Sequence, residues 1–225
     1  MQRELVPLVP SGPDGLENAS PIGGGDGLLV PALDARLLDE LVRPRLALFW
    51  GTQEPTRTLL AAATTLAARG LPLRLFDGGN RFDGYFVARL ARRLSTHPVQ
   101  AGALAAHSPQ ATLGRIHISR AFTCFQLAEL IENAPASPEP LFVLDLLATF
   151  YDESVPLRDS ERLLETSITH LKRLATAGPV IVGARQPQSL VKERWTLLDR
   201  LETAADAAWM LRSPPVEEPL QPRLF

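Results

Sequence analysis

The chain has 225 residues, 45% of them hydrophobic, and a net charge of −2. That is enough to bury the core of one large α/β domain, and the near-neutral balance excludes a global electrostatic pull toward nucleic acid. The single cysteine, Cys124, excludes an intramolecular disulfide and fits a reducing cytosol. The four histidines lack metal-ligand spacing, and no apolar run has membrane-spanning length.

Residues 1–30 are rich in Pro and Gly and read as a flexible arm. Leu33, Leu37, Leu38 and Leu41 have helical spacing, which predicts a short helix over 31–42 covering a sheet edge. A first strand is expected over 46–50, followed by an Ala/Leu-rich helix over 56–69 that Gly70 ends. Residues 71–76 read as the second strand. Strand, four-turn helix and strand together indicate βαβ units and a parallel sheet. A helix over 85–94 carries Arg89, Arg92 and Arg93, a candidate basic face. The connection 96–110 is irregular, with a short helix expected over 99–106. A third strand follows over 115–119, then a helix over 123–132 capped by Thr123 with Gln126 three places on. The fourth strand, 141–147, is apolar apart from Asp145. A long amphipathic helix (158–177), a fifth strand (179–184), a segment over 188–201 and an edge strand over 204–211 complete the domain.

The stretch 45–58 joins a buried strand, a tight turn and a helix start, the setting of a P-loop. A working P-loop reads G-x-x-x-x-G-K-[ST], with backbone N–H groups round the phosphates, Lys on the β/γ-phosphates and a hydroxyl on Mg²⁺. Here Gly51 and Thr58 stand in the first and last positions, Thr56 replaces the second glycine, and Arg57 replaces Lys. Thr at positive φ is sterically costly, Pro55 deletes an N–H donor, and Glu54 adds charge that opposes phosphate. Arg57 keeps the charge on a flat fork in place of a compact ammonium. Asp145 near the end of a buried strand has the Walker B pattern and would hold Mg²⁺ with Thr58; the competing reading is a buried Asp that caps a loop or bonds backbone.

The segments LRLFDGGNRFD (73–83), RIHISRAFTCFQLAELIE (115–132), LFVLDLLATFYDE (141–153) and PVIVGARQP (179–187) together resemble, in order and spacing, the ATPase core of the RecA-like recombinase family. The resemblance implies an α/β fold, a single RecA-like P-loop domain over 31–212 with a mainly parallel central sheet and helices on both faces. In that family the loop after the second strand carries the glutamate that activates water; the matching position here is Gly79, which has no side chain to act as a base. The resemblance thus implies weak ATPase activity at most. No cofactor is firmly implied: Gly51, Arg57 and Thr58 are what remains for ATP, and Asp145 with Thr58 for Mg²⁺. Family members bind DNA through loops after the fourth and fifth strands. The second of these positions offers Arg185, Lys192, Arg194 and Trp195 to a nucleic acid.

Residues 213–225 change character. Pro214, Pro215, Pro219 and Pro222 forbid regular structure, and Glu217 and Glu218 favour solvent, which predicts a disordered tail. Gln221, Leu224 and Phe225 fit Q-x-x-L-F, resembling the peptide by which bacterial repair proteins and polymerases dock on the sliding clamp. The expectation is a non-catalytic accessory protein of DNA repair, recombination or lesion bypass in the nucleoid-associated cytoplasm. Its expected partners are the clamp, DNA, and a RecA-like or translesion polymerase partner, with no membrane involved. The layout is similar to the RecA-like accessory subunit of bacterial translesion machinery. The alternatives are a DNA-dependent ATPase or recombinase paralogue with a divergent P-loop, and a scaffold subunit completing a shared site with a RecA-like partner.

Overall fold

A computed structural model describes residues 35–43, 45–51, 55–96, 108–187 and 192–211. Six strands, β1 (Leu46–Gly51), β2 (Leu73–Asp77), β3 (Ile116–Arg120), β4 (Leu141–Leu144), β5 (Val180–Arg185) and β6 (Ala207–Leu211), form one sheet in the order β3-β2-β4-β5-β1-β6. Every pairing is parallel. Parallel strands with both faces covered need apolar side chains on both. All residues of β1 and β4 are buried, whereas β3 and β6, at the two edges, are only partly so.

Alternation along the strands divides the interior into two cores. Leu46, Leu48, Trp50, Val143 and Val182 point to one face. Ala47, Phe49, Phe142, Leu144 and Ile181 point to the other. The second face is covered by α1 (Ala35–Leu41), α2 (Thr56–Ala68) and α3 (Gly84–Thr96), with α4 (Pro109–Leu113) against α2 and α3. The first is covered by α5 (Cys124–Glu132), α6 (Leu157–Ala175) and α7 (Trp195–Ala204). The fold is therefore α/β, with a six-stranded all-parallel sheet between two helical layers.

Local chemistry sets the helix limits. In α2 all but two of the thirteen residues are buried, and the alanines let it sit tightly between the sheet and α3. It stops at Gly70, whose φ of 98° is a left-handed conformation that glycine adopts without steric cost. In α5 the expected cap is present: Thr123 Oγ1 accepts from Gln126 N at 3.2 Å, and Gln126 Oε1 accepts from Phe122 N at 2.9 Å. In α6 the buried residues Ser160, Leu164, Ser167, Leu171 and Leu174 repeat every three or four places, with Asp159 in the first turn and Lys172 and Arg173 in the last, as the helix dipole favours. Arg173 Nη2 donates to the carbonyls of Glu132 and Ala134, tying the end of α6 to the end of α5.

Three expectations differ from the structure. β4 ends at Leu144, not at 147, because the backbone turns at Asp145, whose φ is 48°. Leu146 and Leu147 are still buried, so the apolar run outlasts the strand. The helix α1 lies over a sheet face and not an edge, with Leu38 and Leu41 packed among Phe49 and Ile181. The helix at Pro109–Leu113, with Ser108 as its cap, had no counterpart in the sequence reading. The helix expected over 99–106, the arm 1–30 and the tail 213–225 lie outside the described residues. Among the described residues no helix is long and apolar enough to cross a membrane.

Candidate functional site

In an open parallel sheet, ligands are received outside the carboxyl ends of the strands. Four ends meet here: Gly51 of β1, Arg185 of β5, Asp145 just past β4, and the loop after β2. Register places Arg185 opposite Gly51 across β1 and β5. β5 also pairs with β4, so Arg185 stands between Gly51 and Asp145.

Gly51 is a strand residue. Its carbonyl accepts from Gln186 N at 3.1 Å, and a methyl at its Cα would overlap the carbonyl oxygen of Leu211 in β6. Its lack of a side chain serves the close approach of the edge strand. Residues 52–54 are not described. Pro55 sits over Gly183 of β5, where an added methyl would come within 3.5 Å of Pro55 Cγ and 2.9 Å of Leu59 Cδ2. Pro55 is the N-cap of α2 and supplies no side-chain cap. Thr56, at the second-glycine position, is buried. Arg57 is exposed and places its guanidinium 6.0 Å from the Phe86 ring centroid on α3, a cation–π contact. Thr58 is half-buried and lines a crevice with Leu37 and Leu41 of α1 and Phe49 and Ile181 of the sheet.

Asp145 is fully buried. Its Oδ2 accepts from Arg185 Nε at 2.7 Å, and its Oδ1 lies 3.4 Å from Arg185 N. Arg81, from the loop after β2, adds its Nε at 3.6 Å from Oδ2. Burial pushes the Asp145 carboxyl above its ordinary range while the Arg185 and Arg81 guanidiniums pull it back. Tyr151 closes the cluster: its hydroxyl donates to the Arg185 carbonyl at 3.0 Å, and burial next to Asp145 raises its pKa.

Gly78 and Gly79 form the floor of this cluster. A methyl at Gly79 would lie 2.8 Å from Asp145 Cβ and 3.0 Å from Asp145 Oδ2 and Arg81 Cγ. Contacts under about 3 Å force a shift, so the position that the RecA-like resemblance assigns to a glutamate is closed by the ion pair itself. The loop is held from beneath by a second buried carboxylate that the sequence reading passed over. Asp77 accepts from Arg81 N at 2.7 Å, from Phe82 N at 3.1 Å and from Arg120 Nε at 3.1 Å.

Together the described groups do not fit a magnesium–nucleotide complex. The carboxylate that would hold the ion is paired with two guanidiniums, Arg57 is directed to α3, and Thr58 lines an apolar crevice. Among the described residues no group of three or more His, Cys, Asp or Glu side chains is gathered.

The sequence-predicted nucleic-acid residues are not brought together. Arg185 is paired with Asp145. Arg194 is buried, donating to the carbonyls of Phe150 and Val155 and to Ser160 Oγ, and so fixes the loop that follows β4. Trp195 is half-buried against the core of α5, α6 and α7. Lys192 opens a single 3₁₀ turn, Lys192–Arg194, before α7. Cys124 is buried in the first turn of α5, and burial pushes its thiol pKa up. The clamp-peptide residues Gln221, Leu224 and Phe225 lie outside the described residues. Neither a protein-family model nor a curated protein matches the chain.

Proposed function

We propose that this protein is a non-catalytic accessory factor of DNA repair, recombination or lesion bypass. In this reading a RecA-like body has exchanged nucleotide chemistry for structure and is recruited to a bacterial sliding clamp by Gln221, Leu224 and Phe225. The observation that carries the non-catalytic part is the Asp145–Arg185 contact at 2.7 Å, with Arg81 beside it. A metal-binding carboxylate must be open to its ion, whereas this one neutralises two cations of the protein's own fold. The closed Gly79 position supports the same reading, since a hydrolytic base has no room there.

Recruitment rests on the tail. Gln221, Leu224 and Phe225 follow a sequence of Pro214, Pro215, Glu217, Glu218 and Pro219, a composition that disfavours a packed core and suits a tether. The test is binding of the purified chain to a bacterial sliding clamp by surface plasmon resonance, with and without residues 221–225. Saturable binding that disappears with the truncation is expected. Equal signals from both forms, or no signal from either, would remove the clamp from this reading.

A further inference from the structure

β3 is the one strand that adds no residue to the core under α5, α6 and α7. Its side chains on that face are His117 and Ser119, which stand level with Arg74 and Phe76 of β2 in the parallel register. His117 is exposed and Ser119 half-buried, so the sheet face is open here. Leu130, Asn133, Ala134, Pro135 and Glu139, from the end of α5 and the loop after it, line a cleft of about 320 Å³ together with this open face. That volume is at the lower end of the range for small-molecule sites. Arg74 is level with Leu141, the first residue of β4, whereas Asp145 follows the last. The cleft therefore lies apart from the carboxyl-end cluster and shares no residue with it.

Arg74 is the cation of the cleft. Its Nη1 donates to the Pro135 carbonyl at 2.8 Å, while its Nε is buried without a hydrogen-bond partner. Burial pulls the Arg74 pKa down, and the charge of Glu139 opposes that fall. No carboxylate among the described residues is in ion-pair contact with Arg74. A guanidinium taken part-way out of water without a contacting counterion carries a desolvation cost, which an anion seated beside it would offset.

The other polar groups point to the same class of ligand. His117 stands directly across from Arg74. Neither its ring, the Ser119 hydroxyl nor the Asn133 amide hydrogen-bonds to a described residue. The remaining lining, from Phe76 through Leu130 to Pro135, is apolar. Apolar walls with a few polar groups and one cation suit a ligand with an apolar body and one charged end. Glu139 sets the limit on that charge: a carboxylate of the protein in the same cleft repels a phosphate dianion more than a monoanion.

We propose that this cleft binds a small organic monoanion, an apolar body carrying one carboxylate, with the carboxylate against Arg74 and His117 and the body against Leu130, Ala134 and Pro135. The site goes beyond the accessory role and needs neither a nucleotide nor the clamp peptide.

The test is a ligand-observed NMR titration of the full-length chain with phenylacetate, and with phenylacetamide as its neutral isostere. Saturable binding of the acid is expected with a Kd of about 10 mM or tighter, at least about fivefold tighter than the amide. Arg74→Met keeps an apolar stem of similar length and is expected to weaken the acid to the level of the amide. Ser119→Phe fills the cleft from β3, where an aromatic residue suits a strand, and is expected to abolish binding of both. Removing residues 221–225 should leave the titration unchanged, which separates this result from the clamp test. Unchanged thermal midpoints show that the variants are folded; should Arg74→Met fail to fold, the wild-type comparison of acid with amide decides alone. The inference is overturned if phenylacetate shows no saturable binding in the millimolar range, if acid and amide bind equally, or if binding survives Ser119→Phe. A preference for the acid that persists in folded Arg74→Met overturns it as well.

Discussion

Arg185 Nε donates to Asp145 Oδ2 at 2.7 Å, joining the last residue of β5 to the first residue past β4 at the carboxyl edge of the sheet. The contact commits the buried Asp145 carboxylate to the protein's own fold. Its cost and gain depend on both partners. Burial raises the carboxyl pKa, and the guanidinium offsets part of that rise.

Removing Arg185 should therefore expose the carboxylate's burial cost in a pH-dependent way. Because the folded-state pKa of Asp145 is raised, folding favours the protonated acid. Its contribution is present in full below the ordinary carboxylate value and is lost as pH rises through the folded-state value. Arg185→Ala lifts that value further. The variant should be close to wild type near pH 4 and about 2–3 kcal/mol less stable at pH 8, below the loss expected of a fully buried pair because Arg185 is 34% exposed. Adding Asp145→Asn should recover much of the loss at pH 8. Urea midpoints at the two pH values measure this, and an equal loss at both would contradict it.

A glutamate placed at Gly79 should not create ATPase chemistry. Gly79→Glu places Cβ 2.8 Å from Asp145 Cβ and brings a second carboxylate to the cluster. Steric overlap and like charge should cost about 2 kcal/mol or more. Urea unfolding and a phosphate-release assay check both halves. A variant as stable as wild type that hydrolyses ATP would show that the site had been open.

Arg194 acts on stability. Arg194→Met leaves the carbonyls of Phe150 and Val155 without their charged donor. The expected loss is about 3 kcal/mol, roughly 6–12 °C in Tm. Calorimetry checks this, and a normal Tm would return Arg194 to the surface.

Legibility followed burial. The central strands are near-continuous apolar runs, so their order and type could be read directly, and α6 declares itself through a clean three-to-four repeat. The same continuity hid the end of β4, because Leu146 and Leu147 are as buried in the turn as they would be in a strand. Arg185 read as a surface cation because pairing with Asp145, forty residues away, depends on the β4–β5 register. An Asp and an Arg each closing a buried strand were the available signal. Arg194 gave none: its carbonyl partners are backbone.

We propose that the Asp145–Arg185–Arg81 cluster stands where a nucleotide-bound metal ion would otherwise sit. Isothermal titration calorimetry of the wild-type chain with Mg²⁺-ATP at millimolar concentration tests it most directly, with Asp145→Ala as comparison. The account predicts no saturable heat from either protein. Saturable binding by wild type that is lost in Asp145→Ala would contradict it and return the chain to the nucleotide-dependent enzymes.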